Sequence, residues 1–164
     1  MIVGNGDIAK VLLDREDYIY FASGVSNSRE TRESEYQREK NLLLRQPKDK
    51  RLVYFGTLAC FYNSTTRYAQ HKREMETLVK THFDQYTIVR LGNITWGTNP
   101  YTIINSFRAM RRDKTEIQVQ DTSRYLVTKK EFLHWINLIP DWNCEMNITG
   151  TRMKISQIVK RYVK

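Results

Sequence analysis

The chain opens with Met1-Ile-Val-Gly4-Asn-Gly6-Asp-Ile-Ala9-Lys-Val-Leu12: a short apolar run, two glycines one residue apart, then apolar residues at helical spacing. No other stretch constrains the fold as strongly. A strand, a tight glycine turn and a helix form the start of a parallel sheet, because a helix must carry the chain back before the next strand can run in the same direction. The spacing predicts a first helix over roughly Ile8 to Leu13.

The alternation continues. Tyr18 to Ala22, Arg51 to Phe55 and Thr87 to Leu91 are rich in aromatic and β-branched residues and read as strands. Between them, Arg29 to Leu44 reads as a charged, solvent-facing helix ended by Pro47, and Arg67 to Lys80 as a second helix. Further on, Tyr101 to Met110, Lys130 to Leu138 and Ile155 to Val163 read as helices, with Glu116 to Gln120 and Glu145 to Ile148 as strands. Strands separated by helices predict the α/β class, here a reduced Rossmann-like parallel sheet flanked by helices. Without a repeat, a low-complexity stretch or a linker, residues 1–164 read as a single domain with a small C-terminal portion.

Composition narrows the classes of function. With 40% hydrophobic and 27% charged residues the chain has the make-up of a soluble globular domain, and no apolar run reaches membrane-spanning length. The opening is broken by glycines and Asp7 within its first turn, so no signal peptide is expected, and the expected location is the cytoplasm. Cys60 and Cys144 are too few for a disulfide framework or a zinc site, and His71, His82 and His134 lack ligand spacing, so no metal is expected. The net charge of +9 admits nucleic acid as a minor alternative. The basic residues are interleaved with acids rather than gathered on one recognition helix, and a basic surface steers nucleotides equally well.

Two constellations carry chemistry. The GxGxxA turn at Gly4, Gly6 and Ala9 has the form of a dinucleotide fingerprint, its glycines allowing a backbone to approach a pyrophosphate. An ordinary glycine turn gives the same pattern. Tyr68 and Lys72 stand four residues apart, so on a helix they share a face. An ammonium beside a phenol favours the phenolate, which predicts a Tyr68 pKa lowered toward the working pH and a residue fit for acid–base work. A half-buried ring beside a solvated amine is the plainer alternative.

Taken in order, GxGxxA, Phe21-Ala-Ser-Gly24, Val53-Tyr-Phe-Gly-Thr57, Tyr68-xxx-Lys72, Arg90-Leu-Gly-Asn93-xxx-Gly97 and Arg124-Tyr-Leu-Val resemble the extended short-chain dehydrogenase/reductase family of nucleotide-sugar epimerases, dehydratases and reductases. The resemblance runs nearly end to end, and includes Glu76 and Asn147-Ile-Thr-Gly150. It implies a catalytic triad of Thr57, Tyr68 and Lys72, with Lys72 also holding the nicotinamide ribose. It implies a cofactor, NAD or NADP, lying along Gly4, Gly6, Asp7, Ile8, Ala22 and Ser23, and a nucleotide-sugar or smaller carbonyl substrate gripped by Asn93 and Arg124. It further implies a homodimer through a four-helix bundle built from Arg29 to Leu44 and Ala69 to Lys80.

Against the family pattern, the chain lacks the second and third strands with their helices, and with them the acid that holds the adenosine ribose. In a sheet ordered 3-2-1-4-5-6 the first and fourth strands are neighbours, so the shortened sheet stays connected with its first strand at the edge. Asp7 places a carboxylate beside the expected pyrophosphate unless it turns away. Two readings result: a minimal NAD(P)-dependent oxidoreductase or epimerase, and a non-catalytic relative that binds a nucleotide or sugar nucleotide or serves as a subunit of another protein.

Overall fold

A computed structural model describes residues 1–119 and 121–163. Along the chain run β1 (Ile2–Val3), a 3₁₀ turn (Ala9–Val11), β2 (Tyr18–Phe21), α1 (Glu33–Leu44), β3 (Arg51–Thr57), α2 (Ala59–Tyr62), α3 (Arg67–His82), β4 (Tyr86–Leu91) and β5 (Asn93–Ile94). There follow α4 (Ile103–Arg112), β6 (Ser123–Val127), α5 (Lys129–Asn137), β7 (Cys144–Ile148), β8 (Thr151–Lys154) and α6 (Ile155–Tyr162).

Five strands form one parallel sheet in the order β1-β2-β3-β4-β7. β1 pairs only with β2 among the described residues and so occupies the edge, as a sheet stripped of its second and third strands requires. Strand alternation sorts the core into two layers. On one face Tyr20, Val53, Phe55 and Val89 pack with Phe132 and Ile136 of α5. On the other, Ile19, Phe21, Leu52, Tyr54 and Ile88 pack with Leu43 of α1 and with Met75 and Val79 of α3. Helices cover both faces, which is why β2 is buried at every position and β3 over most of its length.

A second sheet, β5-β6-β8, hangs from the end of β4: β5 runs parallel to β6, and β8 antiparallel to it. Ile104 of α4 and Ile155 and Ile158 of α6 close its core around Leu126. Helix starts follow local chemistry. The Thr66, Thr102 and Thr128 side chains accept N–H bonds from Ala69, Asn105 and Glu131, capping α3, α4 and α5.

Two expected elements differ. The first helix is a single 3₁₀ turn, since Leu12 is already extended and too few residues remain before the turn into β2 to repay helix nucleation. The strand expected over Glu116 to Gln120 is absent from residues 116–119, and Gln120 lies outside the described residues; pairing with β5 and β8 instead selects Ser123–Val127. No helix among the described residues is long and apolar enough to cross a membrane.

Phe132 is fully buried, its ring centroid 5.8 Å from that of Phe55 and 5.4 Å from that of Trp96. Phe132→Ala is expected to lower unfolding stability by about 3–5 kcal/mol, read as a shift in the urea midpoint with little change in slope.

Candidate functional site

The carboxyl ends of β2, β3 and β4 open into one cavity of about 1150 Å³. This is where a parallel α/β sheet ordinarily receives ligands, because the strand ends and helix starts leave polar backbone without sheet partners. Thr57 ends β3 and Tyr68 and Lys72 lie in the first two turns of α3; all three line the cavity. The Thr57 Oγ1 accepts the Ala59 N–H at 3.2 Å.

On the side of β1, Gly6, Asp7 and Ile8 line the cavity together with Ala22 and Ser23. Gly4 does not line it; its φ of +122° and the 2.5 Å that would separate an added Cβ from the Ala22 carbonyl explain the glycine by the close passage of β1 against β2. A Cβ at Gly6 would meet nothing within 4 Å. The Asp7 carboxylate accepts the N–H groups of Thr98 at 3.0 Å and Asn99 at 2.8 Å, while the Asp7 carbonyl accepts the Trp96 indole N–H. The glycine turn is thereby fastened to the segment leading into α4.

Asn93 and Arg124 line the same cavity from the second sheet. The Asn93 amide donates to the Tyr125 carbonyl at 3.2 Å, and Arg124 Nη1 donates to the Ser123 carbonyl at 3.0 Å. Glu76 does not join them. It forms a two-pronged pair with Arg90 at 2.8 and 2.6 Å, and Arg90 also reaches Glu145, which pairs with Lys80; this network fastens β4 to α3 and β7.

The sequence-based reading missed the group that dominates the electrostatics. Glu39, on α1, is fully buried and accepts four donors: Val25 N–H at 2.7 Å, Tyr54 O–H at 2.9 Å, His71 Nε2 at 2.9 Å and Lys72 Nζ at 2.9 Å. Burial by itself would raise this carboxyl's pKa, but the Lys72 charge and the His71 and Val25 hydrogen bonds overrule it and hold the group well below the usual carboxylate range. An ionised carboxylate requires His71 to donate through Nε2, and His71 Nδ1 is buried without a partner among the described residues. A signal was available: Tyr36, Glu39 and Leu43 fall three and four residues apart, on one face of α1, and all three are buried.

This pairing corrects the expected effect of Lys72. Its ammonium lies 5.7 Å from the Tyr68 ring centroid, near enough to act, but it is already matched by Glu39. The Tyr68 phenol is held above its ordinary value of 10.0 rather than below it. Burial is the largest cause, the Glu39 charge and Cys60 add to it, and the neighbouring Thr57 side chain pulls the other way.

No protein-family model and no curated protein sequence matches the chain. Solved structures do. The enzyme WbmG of Bordetella bronchiseptica, determined in complex with NAD and UDP, superposes with a TM-score of 0.65 at 16% identity, covering 88% of this chain and 55% of its own. The UDP-N-acetylglucosamine 4-epimerase of Methanobrevibacter ruminantium, in complex with UDP-N-acetylmuramic acid, gives 0.61 at 17%, covering 95% and 62%. The dTDP-4-dehydrorhamnose reductase of Bacillus anthracis, in complex with NADP, gives 0.69 at 15%, covering 88% and 61%. The chain therefore has the α/β Rossmann-like fold of these epimerases and reductases, in a form that spans little more than half of their length.

Proposed function

We propose that this chain is a minimal NAD(P)-dependent oxidoreductase or epimerase acting on a nucleotide-linked sugar or a smaller carbonyl compound. One observation carries the reading: Thr57, Tyr68 and Lys72 meet at a single cavity that the glycine turn borders on one side and Arg124 on the other. Among solved proteins of the same fold, one holds NAD and UDP, a second NADP, and a third UDP-N-acetylmuramic acid.

The residues fit a nicotinamide dinucleotide on one half of the cavity. Ala22 and Ser23 line the cavity where their backbone would pass beside the cofactor, and the open space at Gly6 would let a pyrophosphate approach the turn. The adenosine half is not built in the same way. Beyond β1 no strand among the described residues carries the ribose-binding acid, and the turn leads into three residues of 3₁₀ helix. When bound, the dinucleotide supplies or takes a hydride at the substrate carbon. Tyr68 gives a proton to the substrate oxygen in the reducing direction and takes it back in the oxidising one. Thr57 donates a hydrogen bond to that oxygen as negative charge develops on it. The planar fork of Arg124 suits a diphosphate, and Asn93 lies beside it on β5, so the second sheet with α4 and α6 serves as the small substrate-binding portion.

A second reading, a non-catalytic binder of sugar nucleotides, is favoured by the incomplete adenosine side. We place the protein in the cytoplasm, where Cys60 and Cys144 stay as free thiols, and propose a homodimer. α1 and α3 already lie side by side, joined by Lys40–Glu74 and Arg67–Glu33 ion pairs, and two such pairs of helices make a four-helix bundle.

Calorimetric titration with NADH, NADPH, UDP-sugars and dTDP-sugars tests the reading. Micromolar binding of a reduced dinucleotide is expected, and Gly6→Trp should abolish it while leaving thermal unfolding nearly unchanged, since a side chain there enters open space. Sugar-nucleotide binding without any dinucleotide would favour the non-catalytic reading, and binding of nucleic acid alone, with steep salt dependence, would defeat both. Tyr68→Phe is expected to remove turnover by at least about 10²-fold with ligand affinity unaltered; undiminished turnover removes Tyr68 from its role.

A further inference from the structure

We propose that Glu39 is a positioning residue that cancels the charge of Lys72, so that Tyr68 rests as a neutral phenol and enters the reaction as a proton donor. The proposal rests on Tyr68 being the proton-transfer group of the cavity. Four observations place Glu39 in this role. The carboxylate spans the ammonium, with Lys72 Nζ at 2.9 Å from one oxygen and 3.3 Å from the other. Both side chains are withdrawn from solvent, at 0% and 3% exposure, so water screens neither charge. Gly24 leaves the space they occupy: a Cβ there would sit 2.6 Å from Lys72 Nζ and 2.8 Å from Glu39 Oε1. Finally, Val25, Tyr54 and His71 hold the carboxylate from three other directions, so it cannot swing away without stranding them.

Of the ionisable groups around Tyr68, Glu39, Cys60 and Tyr62 oppose a phenolate, while Lys72 would favour one. Glu39 comes from α1, Tyr54 from β3, Cys60 and Tyr62 from α2, and Lys72 from α3 itself. The Lys72 ammonium lies 5.7 Å from the ring centroid, and with its charge matched a phenolate would add an uncompensated negative charge to a half-buried site. Tyr68 consequently holds its proton until a substrate oxygen accepts it. The pair Glu39–Lys72 acts through Tyr68 and need not touch substrate.

The test is a tyrosinate titration followed by ultraviolet absorbance, each protein being compared with its own Tyr68→Phe counterpart so that the other tyrosines cancel. Glu39→Gln leaves the Lys72 charge unmatched and is expected to move Tyr68 ionisation down by about 1–3 pH units. The doubly neutral Glu39→Gln/Lys72→Gln protein is expected to return it to the wild-type position, and Glu39→Asp, which keeps the charge, to leave it there. Ionisation unmoved in Glu39→Gln overturns the proposal. So does a double variant that ionises well above the wild type, since Lys72 would then be acting without a counter-charge. If circular dichroism shows Glu39→Gln unfolded, the doubly neutral variant decides alone. The titration needs no substrate: it can support the role of Glu39 even where no hydride transfer is found, and turnover with an unmoved titration would defeat that role while leaving the oxidoreductase reading intact.

Discussion

The Glu39 carboxylate is the point at which the elements around the cavity are tied together. It belongs to α1, yet its donors come from the loop after β2, from β3 and from α3. A buried charge of this kind is tolerated only when fully paired, because removing one partner leaves an ion without solvent, at a cost of several kcal/mol. The arrangement therefore fixes more than it stabilises. It sets where α1 lies against the sheet, where the Val25 loop runs and where the Lys72 ammonium points, all at once.

The sheet supplies the second constraint. Because the first and fourth strands of a doubly wound sheet are neighbours, a chain without the second and third still pairs every strand it has, and β1 joins β2 directly. The loss falls on one side of the cavity. Thr57, Ala22 and Ser23 sit at the ends of interior strands, whereas β1 is two residues long and stands at the edge. Asp7 compensates in part: by accepting from Thr98 and Asn99 it anchors the short turn to the second sheet's side of the cavity.

How much was legible depended on whether an element carries its own pattern. β3 and β4 are near-continuous apolar runs, and α3 has an N-terminal threonine cap and basic residues in its last turn, so each could be located from local chemistry. β5, with two residues, and α2, with four, are too short to show any period. β6 and β8 were missed or displaced because their partners are remote, Asn93 pairing with Leu126 and Arg124 with Met153. α1 was located correctly but misjudged in character. Its many charges suggested a solvated helix, while one of them, between Tyr36 and Leu43, is buried at the centre of the site.

The sequence by itself determined the parallel α/β class, the order of the principal strands and helices, and the sharing of one helix face by Tyr68 and Lys72, because apolar periodicity and the four-residue spacing on a helix are local properties, whereas Thr57 was joined to them only through the family resemblance. Only the tertiary structure decided the electrical state of that site. Whether Lys72 acts on Tyr68 as a bare charge or as half of a neutral pair depends on a carboxylate 33 residues away in the chain. Charges interact through distance and burial, and neither is written in the spacing of residues along a chain.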